Sequence, residues 1–288
     1  MTVRSLLRQG YDKLFLAEVD TPLLDALLLL AFALETNKEK VLASLPDPVN
    51  RAAEDSFLDL IDRRASGTPV SYIRRLKEFW GLEFYVDERV LVPRPDTEAL
   101  VEKTLDVLRA DPRLNRVHDA CAGSGCIGIA LQSAIPRLTV SASDLSAGAG
   151  EVLGMNAVKL LGRRMEFFLS DLLDSVPGSF DVITANPPYL SDHEMEGMRK
   201  LGWPEPEIAL RGGRDGTALA ERLIRAAPQK LASNGWLVLE AAPRQFTKLF
   251  ALMDQAGFHS IDVVQDMAGH DRVIAGRLGP GLRGGRDG

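Results

Sequence analysis

Cysteine is scarce in this chain of 288 residues: Cys121 and Cys126 are the only two. Two thiols cannot build a disulfide framework, and the natural reading is a reducing compartment. Histidine is equally sparse. His118, His193, His259 and His270 stand singly without ligand spacing, so no metal site is expected. Long apolar runs are missing too. The longest, Leu23 to Leu34, is broken by Asp25 and falls short of the roughly 20 residues that a membrane span needs. The first twenty residues mix charges among their apolar positions and lack the apolar core of a secretory signal. An excess of basic charge is lacking as well: 34 Lys and Arg against 40 Asp and Glu leave a net charge of −6. Residues 1–90 hold 12 basic and 15 acidic side chains and residues 91–288 hold 22 and 25, so neither part is a basic arm. That balance disfavours a dedicated nucleic-acid binder. With 45% hydrophobic and 26% charged residues, the composition is ordinary globular usage. A cytoplasmic protein with no membrane association is expected.

The first 75 residues read as a small helical bundle. Thr21-Pro22 starts a helix, with Leu23, Leu24, Leu27, Leu28, Ala31 and Leu34 on its apolar face. A second helix is expected over Val49–Ala65, with Phe57, Leu58 and Ile61 inward. Residues 76–95 read as a connecting β-hairpin: Phe79–Val86, a turn at Asp87-Glu88-Arg89, then Val90–Val92. Asp96 is the expected cap of a helix running through Leu108. From residue 96 to 277, short apolar runs alternate with helical stretches. The candidate strands are 116–120, 138–142, 165–169, 180–185, 236–240, 260–265 and 272–275. That pattern predicts an α/β domain with a doubly wound, seven-stranded, mostly parallel sheet of Rossmann-like type. Residues 278–288 form a glycine-rich tail expected to be disordered. The hexapeptide Arg-Gly-Gly-Arg-Asp-Gly occurs at 211–216 and again at 283–288, with no physical reason visible in the sequence.

Asp119-Ala120-Cys121-Ala122-Gly123-Ser124-Gly125-Cys126-Ile127-Gly128 follows the first of these strands and opens a helix. Gly123, Gly125 and Gly128 spell the dinucleotide fingerprint. The same loop also suits S-adenosyl-L-methionine, whose methionine end carries a carboxylate for the loop amides and an ammonium for Asp119. An acid is awkward beside a pyrophosphate, so Asp119 favours that second ligand. Asp144, closing the next strand, is either a ribose partner or a helix cap, and the glycine loop favours the ribose. Asp171, beside Leu172, is either an acceptor for the adenine amino group or a turn residue. The cofactor-binding set is Asp119, Cys121, Ala122, Gly123, Ser124, Gly125, Asp144, Asp171, Leu172 and Asn186.

Asn186-Pro187-Pro188-Tyr189, after the fourth strand, bears on the chemistry. Two prolines stiffen the backbone and donate no N–H, leaving carbonyl oxygens to face a ligand. Asn186 offers a side-chain oxygen, Pro187 a main-chain oxygen and Tyr189 an aromatic face, with Pro188 completing the substrate-binding loop. Such a cluster matches a planar NH₂ group that is to be methylated. Two acceptors orient the nitrogen and its lone pair, and catalysis then rests on alignment and charge placement without a metal.

This tetrapeptide with this glycine loop resembles the class I amino-methyltransferases that use S-adenosylmethionine. Phe79-Trp80-Gly81-Leu82, Pro93-Arg94-Pro95-Asp96-Thr97-Glu98, Glu205-Pro206-Glu207-Ile208-Ala209-Leu210, Gly213-Arg214-Asp215-Gly216 and Gly269-His270-Asp271-Arg272 narrow the resemblance. Together they are similar to the HemK-type release-factor glutamine methyltransferases, over nearly the whole chain. The resemblance implies N5-methylation of the glutamine in the Gly-Gly-Gln loop of class I peptide chain release factors, gripped by Asn186 to Tyr189. One departure stands out: the family usually has glycine where this chain has Cys121, which predicts a modest narrowing of the pocket. A ribosomal-protein glutamine methyltransferase is the neighbouring alternative. A DNA or RNA amino-methyltransferase uses a similar tetrapeptide but wants a basic surface. An NAD-dependent enzyme leaves Asn186–Tyr189 without a role. Ala149-Gly150 is poor in helix formers, which predicts fraying of the helix after Asp144. The bundle at 1–75, which lacks chemistry of its own, is expected to dock the protein substrate.

Overall fold

A computed structural model of the chain describes residues 1–200 and 202–280. The described residues resolve into two compact units, residues 1–76 with 202–204, and residues 77–200 with 205–280.

The first unit is helical: α1 (Val3–Leu16), α2 (Pro22–Ala33), α3 (Lys38–Ala43), α4 (Arg51–Ala65) and α5 (Val70–Arg74). Its helices start where short polar side chains can take orphan amides. Asn37 accepts from the Lys40 amide and Asn50 from the Ala53 amide, both at 2.9 Å. Leu6, Leu14, Leu29, Leu30, Phe57 and Ile61 form a core closed to solvent. The inward face of α2 differs from the expected one. Leu23 and Leu24 are exposed, whereas Asp25, Ala26, Leu29 and Leu30 are buried. The helix is apolar all round, so its periodicity does not choose a face. The choice falls to Asp25, whose carboxylate accepts from Arg64 Nε at 2.7 Å and from Thr21 Oγ1 at 2.9 Å.

The second unit opens with a hairpin of β1 (Lys77–Phe79) and β2 (Leu82–Phe84). Its turn is Trp80-Gly81, both at positive φ, which is the two-residue geometry that matches strand twist. The expected turn at residues 87–89 is present, with the Val90 amide donating to the Asp87 carbonyl at 3.1 Å, but it closes no hairpin and no strand forms at 90–92. That stretch is irregular, with Asp87 taken up by Arg89 at 2.6 Å and the Tyr85 amide donating to Asn156 Oδ1 at 2.7 Å. A 3₁₀ turn (95–97) leads into α6 (Glu98–Ala110), so Asp96 does not cap the helix and instead faces Arg272 at 3.2 Å.

Then follow β3 (Arg116–Ala120), α7 (Cys126–Ala134), β4 (Thr139–Asp144), α8 (Ala147–Leu161), β5 (Glu166–Leu169), β6 (Phe180–Ala185), α9 (Asp192–Lys200), α10 (Ala218–Lys230), β7 (Leu231–Glu240), α11 (Phe246–Gln255), β8 (Phe258–Gln265) and β9 (Asp271–Leu278). The seven-stranded sheet has the order β5-β4-β3-β6-β7-β9-β8, parallel except for β9, which runs antiparallel to both its neighbours. The doubly wound sheet expected from the alternating pattern is present. Two local expectations change. α8 is unbroken at Gly150, where a Cβ would stand 2.4 Å from the Phe167 ring, so the residue is small to admit β5. The last strand runs through Leu278, and residues 281–288 of the expected tail lie outside the described residues.

Removing the inward carboxylate of α2 leaves Arg64 uncompensated. Asp25→Ala is expected to lower the unfolding free energy by about 3 kcal/mol in urea denaturation, and Arg64→Met added to it to recover part of the loss.

Candidate active site

The carboxyl ends of the parallel strands open into a cavity of about 440 Å³. β3 sends the chain towards β4 and its neighbour β6 sends it towards β7, so the loops diverge and leave a crevice, the usual ligand site of such sheets. Residues 121–124 after β3, 144–146 after β4, 170–172 after β5, and Asn186 and Pro188 after β6 line it. Pro93, Arg94 and Thr97, ahead of α6, and Glu207, Ile208 and Arg211 close the opposite wall.

Buried side chains hold these loops from behind. Asp119, without solvent exposure, accepts from the Gly128 amide at 2.9 Å and from Thr184 Oγ1 at 3.2 Å, which ties the start of α7 to β6. Asp144 accepts from the Gly123 and Ser146 amides, both at 2.9 Å. Behind β4, Ser143 Oγ donates to the Leu172 carbonyl at 3.0 Å and so must accept from His118 Nε2 at 2.9 Å. His118 Nδ1 then accepts from Ser141 Oγ at 2.9 Å. Burial, with Lys230 nearby, pulls this imidazole down to about 3, so it stays neutral and holds Leu172 at its positive φ of 52°.

The Asn186–Tyr189 loop is gripped from three sides. Asn186 Nδ2 donates to Thr97 Oγ1 at 3.2 Å. The Tyr189 carbonyl accepts from Gln245 Nε2 at 3.0 Å. The segment 211–216 wraps the loop so closely that a Cβ on Gly216 would lie 2.1 Å from the Tyr189 oxygen, and one on Gly212 2.6 Å from the Pro188 oxygen. This gives the first copy of the repeated hexapeptide its physical reason: only bare backbone fits there. The strap ahead of α6 is anchored likewise. Glu205 accepts from the Val92 amide at 2.8 Å and pairs with Arg94.

Burial dominates the electrostatics. It raises Asp119 to about 7, against its Gly128 and Thr184 bonds, and raises Asp144 as well. It lifts Glu240, at the end of β7, to about 7, and Tyr189 and Cys126 to about 12. The Cys121 thiol is pushed up by burial and by Asp144 and Asp119, so it remains protonated. Asp171 pairs with Arg222 at 2.9 Å.

The family model described as the PrmC N-terminal domain matches residues 5–74, and the methyltransferase small domain matches residues 97–200. The release factor glutamine methyltransferase of Borreliella burgdorferi is 35% identical over 253 residues, covering 87% of each chain. The enzyme of the same name from Cereibacter sphaeroides is 35% identical over 280 residues, covering 96% of this chain and 99% of its own. The chain belongs to the release factor glutamine methyltransferase family. A Thermus thermophilus 16S rRNA N2 G1207 methyltransferase, solved with AdoMet and guanosine, shares the fold with a TM-score of 0.52 at 17% identity, covering 70% of this chain and 49% of that one.

As a release factor glutamine methyltransferase, the protein uses S-adenosyl-L-methionine, and the cavity suits it. The volume lies in the range of small-molecule sites, the walls are largely apolar, and Asp144 stands at a strand end beside the glycine loop. Cys121, Ala122, Gly123, Ser124, Asp144, Asp171, Leu172, Asn186 and Pro188 meet at the cavity. Asp119, Gly125, Pro187 and Tyr189 do not line it. Asp119 also braces the loop, with one oxygen accepting from the Gly128 amide and the other from Thr184 Oγ1. For Cys121 the consequence of replacing glycine is one of backbone. The residue sits at a φ of 56°, a left-handed conformation costing roughly 1–2 kcal/mol in any residue with a Cβ. Thr97 and Glu240 were missed by the sequence reading. Glu240 has a visible signal, a carboxylate closing the apolar run Trp236–Leu239, and Thr97 lies in the Pro93–Glu98 motif that carries the resemblance, though nothing in the motif gives it a role.

The buried acids make stability depend on pH. Asp119 and Glu240 ordinarily release protons near 3.8 and 4.5, and both hold them to about 7 in the native state. Through that window these two groups bind more protons in the folded protein than in the unfolded chain, so their contribution to stability falls as pH rises and levels off above it; neutral His118 opposes them only below about 6.5. Urea midpoints across pH are expected to show this decline, and Glu240→Gln to flatten part of it.

Proposed function

We infer that this chain transfers the methyl group of S-adenosyl-L-methionine to the side-chain amide nitrogen of the glutamine in the Gly-Gly-Gln loop of class I peptide chain release factors. The observation that carries this reading is the Asn186 carboxamide, bonded to Thr97 and lining the same cavity as Asp144. When bound, the donor supplies an electrophilic methyl group on a sulfonium.

The protein's own residues do the rest by placement. Asp144, already holding the Gly123 and Ser146 amides, offers its carboxylate to the ribose hydroxyls. Asp171 and Leu172 border the adenine position, and the loop from Cys121 to Gly125 receives the methionine end. Asn186 Oδ1 and the Pro187 carbonyl accept the two hydrogens of the substrate NH₂, with Pro188 and Tyr189 shaping the slot. An amide nitrogen is a poor nucleophile because its lone pair is delocalised, so fixing both hydrogens aligns that pair with the methyl carbon. After transfer the nitrogen releases a proton to water, and no protein base is needed. The helical unit, residues 1–76, serves as the docking face for the factor. A translation-termination substrate places the work in the cytoplasm, and a net charge of −6 fits a protein substrate better than nucleic acid or an anionic membrane.

Incubation with S-adenosylmethionine and an unmodified release factor is expected to add one methyl group at the Gly-Gly-Gln glutamine, located by tandem mass spectrometry. Asn186→Ala is expected to slow the transfer by about 10²–10³-fold while calorimetry shows cofactor affinity unchanged. Unmodified glutamine after reaction with the folded, cofactor-competent enzyme would refute the assignment.

A further inference from the structure

We propose that Glu240 is a positioning residue that decides which way the Asn186 carboxamide faces. Its consequence for catalysis rests on the function proposed above, but the orientation itself is a property of this chain. β6 and β7 are parallel neighbours with Ala185 opposite Leu239, so Asn186, the first residue past β6, follows beside Glu240, the last residue of β7, and acts on its carboxyl. Glu240 has no solvent exposure, and among the described residues neither carboxyl oxygen has a hydrogen bond of regular geometry. A buried carboxyl left in that state is costly and calls for a reason. The polar groups acting on it are Thr97, Arg272, Asp96 and Asn186.

Asn186 Nδ2 already points to Thr97 Oγ1, at 3.2 Å. Thr97 cannot by itself select that orientation, because a hydroxyl donates as readily as it accepts and would tolerate the flipped carboxamide. A carboxylate only accepts. Beside Glu240 the NH₂ of Asn186 is attracted, and a flipped Oδ1 would be repelled. The NH₂ is thereby held on the protein side, and Oδ1 is left for the cavity, where the substrate NH₂ needs an acceptor. Protonation of Glu240 abolishes the discrimination, since the neutral carboxyl can itself donate to Oδ1.

Burial keeps the Glu240 proton to about 7. Facing it are Asp96 ahead of α6 and Arg272 of β9, with Tyr189 of the Asn-Pro-Pro-Tyr loop and Cys126 of α7. Tyr189 and Cys126, raised to about 12, stay neutral through this range. Asp119 also titrates near 7, but its oxygens are bonded to Gly128 and Thr184, so only a change at Glu240 itself separates the two.

The direct test uses the full chain labelled with ¹⁵N-asparagine, without substrate. The Asn186 side-chain signal is assigned through Asn186→Asp and followed from mildly acidic to mildly alkaline pH. It is expected to shift with a midpoint of about 7 and to lose that shift in Glu240→Gln. A pH-independent Asn186 signal, or the same shift persisting in Glu240→Gln, overturns the proposal. Thr97→Val keeps it testable should Glu240→Gln fold poorly: the shift is expected to survive, and its loss would assign the orientation to Thr97 instead. In turnover, Glu240→Gln is expected to lower kcat by about 10²-fold with KM for S-adenosylmethionine unchanged. It should also lose the rise in rate through neutral pH, which Glu240→Asp partly restores. A wild-type enzyme inactive on release factors would remove the function proposed above, while the Asn186 signal would still decide this inference.

Discussion

Asp119 joins the two halves of the site. One oxygen takes the Gly128 amide at the start of α7 and the other takes the Thr184 hydroxyl on β6, so the glycine loop and the Asn186 loop share one buried carboxyl as their common brace. Methyl transfer between two bound partners depends on the distance and angle between them, and a misplacement of about 1 Å can cost 10²-fold in rate. A brace deep in the sheet, where packing is dense and solvent absent, resists such displacement better than contacts made by the loops themselves. The elevated proton affinity of Asp119 follows from the same burial that makes it rigid.

The loops are then held from outside by features that carry no chemistry. The 211–216 segment lies against the carbonyls of Pro188 and Tyr189, and its glycines are required by that approach. The strap at 93–97 is tethered by Arg94 to Glu205 at one end and by Thr97 to Asn186 at the other. These are the stretches whose resemblance to a known family was plain in the sequence while their purpose was not. Their residues touch one another, and little of that is visible until the chain is folded.

What was legible follows from period and punctuation. Seven apolar runs spaced by helical stretches gave the sheet, and the glycine loop and Asn186-Pro187-Pro188-Tyr189 stood at strand ends where the fold puts ligands. Where the pattern was degenerate, the reading failed. α2 is apolar on every side, and a long-range pair between Asp25 and Arg64 chose its inward face. The aromatic stretch at 79–86 fits a strand, yet Trp80-Gly81 turns within it because both residues take positive φ. Asp119 looked like a ligand residue since an acid at a strand end commonly is one. Only three-dimensional contact shows that it also braces Gly128 and Thr184. Thr97 and Glu240 are distant from Asn186 in sequence, and no local signal links them.

The site gathers acids around a position meant for a cation, and this poses a problem. A sulfonium loses its charge as the methyl leaves, so a strong negative field would hold the ground state more tightly than the transition state and slow the reaction. The structure tempers that field in each case. Asp171 is paired with Arg222, and Asp144 shares its charge with two backbone amides. Asp119 and Glu240, both near 7, are partly protonated at neutral pH. Asp119 thus braces its loops through hydrogen bonds while carrying less than a full charge, whereas Glu240 orients Asn186 only in its ionised fraction. A buried carboxyl near its own midpoint is costly for folding, and its partial protonation limits how strongly it over-stabilises the donor.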